Sequence, residues 1–93
     1  MIDLDAYKKT KEGLQKILLL QQAMRREVYF IRSKEYIRRG SYQITIDESV
    51  KKIMIADVEN KCNSHCSNIY DEINQVRVNE GLHELINHYK ERN

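Results

Sequence analysis

From Asp47 to Val78 apolar side chains recur every third or fourth residue, at Val50, Met54, Val58, Cys62, Cys66, Ile69, Ile73 and Val76, with no breaker between them. That period puts one apolar stripe along one face of a long helix. Asp47 is placed to cap its first turn, and Glu48 follows near the positive end of the helix dipole. Thirty-two residues of helix span about 48 Å, so the helix either kinks or makes an elongated molecule. Asn60, Asn63, Ser64, Ser67 and Asn68 form a polar patch of poor helix formers where a kink is easiest.

A second stripe of the same period lies upstream, within residues 4–37. Leu4, Tyr7, Leu14, Ile17, Leu18, Met24, Val28 and Ile31 share one face, and Asp3 or Asp5 can cap the helix. Gly13 costs about 1 kcal/mol of helix propensity without ending the pattern. Gln21 stands where an apolar residue is expected. Either it lies at the edge and reaches water, or it sits in the seam and fixes register.

Between the two stripes the pattern changes. Val28-Tyr29-Phe30-Ile31 reads as a helical turn or as a short strand over 27–32; register with Met24 favours a continuous helix to about Arg38. Gly40-Ser41 is a break, with Gly40 available as a left-handed helix cap. Tyr42, Ile44 and Ile46 then alternate with Gln43 and Thr45, the period-two signature of a half-buried strand. One strand needs an edge to pair with. With the first helix continuous, that edge comes from a second copy or from a partner. After a turn at Asn79-Glu80-Gly81, the spacing of Leu82, Leu85, Ile86 and Tyr89 predicts a short last helix, with Lys90 and Arg92 near its negative end.

These elements predict a single mainly α domain over residues 1–93: an antiparallel long-helix hairpin, one short β-strand near the connection and a short C-terminal helix. A chain of 93 residues buries only about 60–65 % of its unfolded surface. Dimerisation into a helical bundle is therefore expected. The chain is 41 % hydrophobic and 32 % charged with three glycines and no proline or tryptophan, a profile that suits helices and leaves few turns.

Net charge is +2, too small by itself to announce nucleic acid or membrane. Its distribution says more. Residues 1–46 carry ten Lys or Arg against five acids, and residues 47–93 carry six against nine. Packing one half on the other would neutralise both. The first five residues lack the order of a signal peptide and no apolar run reaches membrane-spanning length, so a cytoplasmic protein with no membrane contact is expected. Abundant Lys, Ile and Asn without Trp or Pro also suits an AT-rich genome, such as that of a low-GC bacterium or its phage.

Candidate chemistry is sparse. Cys62 and Cys66 are too close to staple distant parts of the chain and do not suit a disulfide on one helix. With His65 they form the one metal-like cluster, but the spacing is not that of a zinc knuckle and both cysteines sit in the apolar stripe, so they read as packing residues. No metal or cofactor is expected. His65 diverges from its cysteine neighbours on a helix, glycines occur singly at 13, 40 and 81, and neighbours such as Asp71-Glu72 do not face each other. The chain reads as a non-enzyme.

The remaining feature is the segment 25–39, where Arg25, Arg26, Arg32, Lys34, Arg38 and Arg39 interleave with Tyr29, Phe30 and Tyr36. Arginine forks beside rings hold phosphates and bases. They also keep a helix surface in water while ring bodies enter a core. The leading expectation is a small regulatory or adaptor protein that binds another protein, for example a phage or mobile-element inhibitor of a host protein. The alternative is a dimeric nucleic-acid or nucleotide binder using Arg25, Arg26, Arg32, Lys34, Arg38, Arg39, Tyr29 and Tyr36.

Overall fold

A computed structural model describes residues 4–90, with Leu4, Ile37 and Arg39 described by backbone alone. Asp3 and Arg92, placed at helix ends by the sequence, lie outside the described residues. Two long helices, α1 (Leu4–Ser33) and α2 (Glu48–Asn79), flank a pair of short strands, β1 (Tyr36–Arg39) and β2 (Tyr42–Thr45). The helices run antiparallel: Gly13 meets Ile73, Leu20 meets Cys62, and Arg32 meets Lys51. The result is a long hairpin of 63 × 28 × 18 Å. Its thinnest dimension is less than two helix diameters of about 10–12 Å each.

The stripe on α2 is the one the sequence predicts from Met54 to Val76, whereas Val50, its expected first member, is exposed. Asp47 caps the helix, its Oδ1 accepting from the Val50 amide at 2.9 Å. Cys66 and Ile73 are buried, and Met54, Val58, Cys62, Ile69 and Val76 are half-buried on the same side. The polar patch from Asn60 to Asn68 does not break the helix, which runs unbroken for its 32 residues and so sets the elongated shape.

On α1 the expected face holds at Ile17, Met24, Val28 and Ile31 and fails at Tyr7, Leu14 and Leu18. Ala6, Gly13, Ile17 and Ile31 are buried, with Thr10, Leu20, Met24 and Val28 half-buried beside them. Tyr7, Leu14 and Leu18 remain in solvent at the flank. In the first half of α1 the buried positions Ala6 and Gly13 are small, which allows the helices to approach there. Gln21 is not an edge residue open to water. It is half-buried and donates from Nε2 to the hydroxyl of Tyr89.

Helix α1 ends at Ser33, not near Arg38, and residues 27–32 are helical throughout. The single strand is instead one half of a β-hairpin, with Tyr36 opposite Thr45, Ile37 opposite Ile44, Arg38 opposite Gln43 and Arg39 opposite Tyr42. Gly40, at φ 61°, is the first residue of the two-residue turn, where a type II′ hairpin needs positive φ. Its role is therefore a strand turn and not a helix cap. Strand β2 finds its edge within its own chain, which removes the lone strand as a reason for a second copy.

The base of the hairpin is tied to the helices. The Ile46 amide donates to the Glu35 carbonyl at 3.1 Å, and Ile46 and Ile31 are both buried there. Lys51 Nζ donates to the Arg32 carbonyl at 3.1 Å and lies 3.7 Å from Glu48, so an ammonium from α2 closes the negative end of α1.

At the other end α2 stops in a Schellman motif. The Leu82 amide donates to the Arg77 carbonyl at 2.8 Å and the Gly81 amide to the Val78 carbonyl at 3.0 Å, with Gly81 at φ 75°. No helix follows among the described residues: Leu82–Lys90 fold back along α2 as an irregular strap. Asn74 of α2 binds both main-chain groups of Leu85, and Arg77 the carbonyl of His83.

Candidate binding surface at the hairpin end

The basic and aromatic residues picked out by the sequence do not form one surface. Arg25 and Arg26 lie on consecutive positions of α1, both exposed, about 10 Å along the helix from Arg32 at the usual rise. Arg25 lies near enough to Tyr89 for its charge to oppose, weakly, the rise that burial imposes on that phenol. Arg32, Lys34, Tyr36 and Arg38 gather where α1 passes into the hairpin, and all four are exposed.

The pleat divides the hairpin into two faces. Tyr36, Arg38, Gln43 and Thr45 share one, and the Arg38 guanidinium stands 5.9 Å from the centre of the Tyr36 ring. That geometry holds the fork over the ring while leaving its edges free for an acceptor. Positions 37 and 39 fall on the opposite face with Tyr42 and Ile44, both exposed. Arg38 and Arg39 therefore belong to opposite faces by register, and the side chain of Arg39 lies outside the described residues.

One turn before the hairpin, Tyr29 and Phe30 meet edge to face at 6.4 Å, and both rings are largely in water. Among the described residues no ion pair joins the basic first half to the acidic second half. Among the described residues the pairs are Lys51–Glu48, Lys61–Asp57 and Lys90–Asp71, all within the second half. Arg26, Arg32, Lys34 and Arg38 have no carboxylate within 4.0 Å among the described residues.

The cysteines face α1. Cys66 is fully buried and half-buried Cys62 donates from Sγ to the Leu20 carbonyl at 3.6 Å. Burial, reinforced by Cys62 beside it, pushes the Cys66 thiol from 9.0 to about 11, away from thiolate chemistry. His65 is exposed, and among the described residues no three His, Cys, Asp or Glu side chains are grouped to hold a metal ion.

Sequence reasoning missed the first strand, and the signal was present. Tyr36-Ile37-Arg38-Arg39 and Tyr42-Gln43-Ile44-Thr45 flank a Gly-Ser pair, the pattern of a two-residue hairpin. It also missed Asn74, Asn87 and Tyr89, whose partners are distant in sequence. Among the described residues no helix is long and apolar enough to cross a membrane. No protein-family model matches the chain, and searches of curated proteins and of solved structures likewise return no match.

Proposed function

We infer that this is a small non-enzymatic regulatory or adaptor protein that acts by binding another protein. The observation that carries the reading is the amount of large apolar surface left in water. Tyr42 is 76 % exposed, Ile53 71 %, and Tyr29 and Ile86 70 % each, while the buried apolar side chains among the described residues are Ala6, Ile17, Ile31, Ile46, Cys66 and Ile73. Single exposed apolar residues are ordinary. Grouped ones, such as Tyr29 with Phe30 or Tyr42 with Ile44, are the mark of an interaction surface. Self-association through the flank of α1 belongs to the same reading, since Tyr7, Leu14 and Leu18 share one side of the helix in solvent. The size suits an inhibitor of a host protein carried by a phage or mobile element.

The basic groups around Tyr36, which have no carboxylate partner among the described residues, favour a second reading, in which Arg32, Lys34 and Arg38 grip phosphates. Salt separates the two, because phosphate binding weakens steeply with ionic strength and an apolar interface does not. The experiment is affinity capture from source-cell extract by the intact protein at low and high salt, with Tyr42→Ser/Ile44→Ser and Arg38→Ala/Arg39→Ala variants in parallel. A protein partner retained at high salt and lost with the Tyr42/Ile44 variant is expected. Submicromolar binding of nucleic acid or a nucleotide at about 150 mM salt, lost with the arginine variant while the helices survive, would overturn the reading.

A further inference from the structure

The β-hairpin stands clear of the helices. Helix packs on helix and strand on strand, and among the described residues neither strand packs on a helix. The 32 residues of α2 advance about 48 Å and the four of β2 about 13 Å, which together match the 63 Å long axis, so the hairpin prolongs the rod. Tyr36, Arg38 and every residue of β2 are exposed, and Tyr42, at 76 %, is the most exposed large apolar side chain among the described residues. A two-stranded sheet bare on both faces is marginal in water and gains from further strands.

Pairing with β1 uses one edge of β2 and leaves the other open. Antiparallel pairs alternate between those that exchange hydrogen bonds and those that do not. The Ile46 amide donates to the Glu35 carbonyl one step before the pair of Tyr36 with Thr45, so the bonded positions are 35, 37, 39, 42, 44 and 46. The main-chain groups of Tyr36 and Arg38 therefore face outward on β1, and those of Gln43 and Thr45 outward on β2. No side chain or loop among the described residues bonds them.

The two open edges differ in their protection. Strand edges are guarded against pairing by charge, by proline, by a bulge or by cover. On β1 Arg38 lies on the open edge and Arg39 follows it. From Ser41 to Ile46 the chain carries no charge, no proline and no glycine, and the register of β2 has no bulge.

We propose that the open edge of β2 pairs with the same edge of a second copy, antiparallel about a two-fold axis at Ile44, to give one four-stranded sheet with β1 outermost on each side. In that register Gln43 of each copy exchanges both main-chain bonds with Thr45 of the other, which satisfies every outward group of β2. Side chains match as well. Ile44 meets Ile44, Tyr42 stands opposite Ile46, and on the other face the Gln43 carboxamide lies beside the Thr45 hydroxyl.

A second copy fits better than an unrelated strand. The edge has no charge with which to select another protein, whereas an identical strand sets apolar residues against apolar ones and polar against polar. The two-fold also carries the turn of each hairpin, which follows Arg38 and Arg39 in sequence, to the acidic start of the other α2 at Asp47 and Glu48. The inference goes beyond the protein-binding reading. The sheet face that bears Tyr42 and Ile44 is doubled in area and stays open to a different protein.

The test takes the full chain as Leu14→Gln/Leu18→Gln, which removes the flank of α1 as a self-contact, and follows particle mass by sedimentation equilibrium. Two chains per particle are expected at micromolar concentration. Adding Ile44→Lys sets like charges opposite each other at the axis and should weaken the pair about tenfold or more while helical circular dichroism is kept. Adding Tyr36→Lys, on the guarded edge, should leave the pair intact. Single chains throughout, or a pair indifferent to Ile44→Lys, would overturn the proposal. Hydrogen exchange on the unaltered chain locates the contact. The Gln43 and Thr45 amides should gain protection as concentration rises, while those of Tyr36 and Arg38 exchange at an unchanged rate. Protection at Gln43 and Thr45 that appears only with a captured protein would assign the edge to that protein and overturn the proposal, as would protection at Tyr36 and Arg38 instead. Capture of a partner at high salt is measured separately, so failure of the second-copy contact is distinguishable from failure of the protein-binding reading.

Discussion

Ile73 of α2 occupies the space that a side chain on residue 13 of α1 would need. A Cβ on Gly13 would stand 2.5 Å from Ile73 Cδ1 and 2.7 Å from Cγ1. The glycine that weakens α1 as an isolated helix thus permits the packing of α1 on α2. Gly13→Ala gains about 1 kcal/mol of helix propensity and incurs an overpacking cost of about 1–3 kcal/mol. The expected result is a net loss of about 1 kcal/mol in urea unfolding, and a smaller effect of the same change in an Ile73→Ala background, where both obstructing carbons are gone. A stabilised single variant would mean that Ile73 moves aside freely.

Lys51 joins the start of α2 to the end of α1 while its own side chain is 11 % exposed. Lys51→Ala removes a charged donor from the Arg32 carbonyl, for which a loss of about 1.5–3 kcal/mol is expected. Lys51→Met keeps the packing of the stem and should recover part of that loss. Chemical denaturation of the two variants distinguishes the hydrogen bond from the packing.

Alkaline pH should destabilise the fold through Cys66. Its thiol ionises near 9.0 when unfolded and about 11 when folded, so between those values the native state holds the proton that the unfolded state has lost. Stability is then fully present below about pH 9 and falls as pH rises toward 11. Cys66→Ala should lower stability at neutral pH and flatten that alkaline slope. Thermal melts from pH 7 to 10.5 measure both, and an unchanged slope in the variant would assign the alkaline loss to other groups.

Sedimentation equilibrium at micromolar concentration should find more than one chain per particle, because Tyr7, Leu14 and Leu18 form a line that the described residues leave partly in solvent. Burying a leucine fully is worth about 1.5–3 kcal/mol. Leu14→Gln/Leu18→Gln should therefore weaken association by about tenfold or more without unfolding the monomer. A compact monomer at all concentrations would remove the flank of α1 as a self-contact.

The period of apolar residues determined that two long helices form and where α2 starts, because Asp47 and the stripe from Val50 to Val76 act within one helix and need no distant partner. The turn at Gly81 was legible for the same reason. What faces what was decided only by the tertiary structure. On α1 apolar residues are spread around much of the helix, and the period alone does not say that Ala6 and Gly13 rather than Tyr7, Leu14 and Leu18 are buried. Ile73 at Gly13 settles it sterically. Strand β1 was hidden because Tyr36 to Arg39 carry both helical and extended preferences, and pairing with Tyr42 to Thr45 decides between them. Residues 82–90 show the limit most clearly. Leu82, Leu85, Ile86 and Tyr89 have helical spacing, yet the segment is held non-helical by bonds of Asn74 and Arg77 to its main chain and of Asn87 to the Ser67 carbonyl, at sequence separations of 6 to 20. Helical period is a local property, whereas the hydrogen-bond partners that override it are brought close only when α2 is already formed.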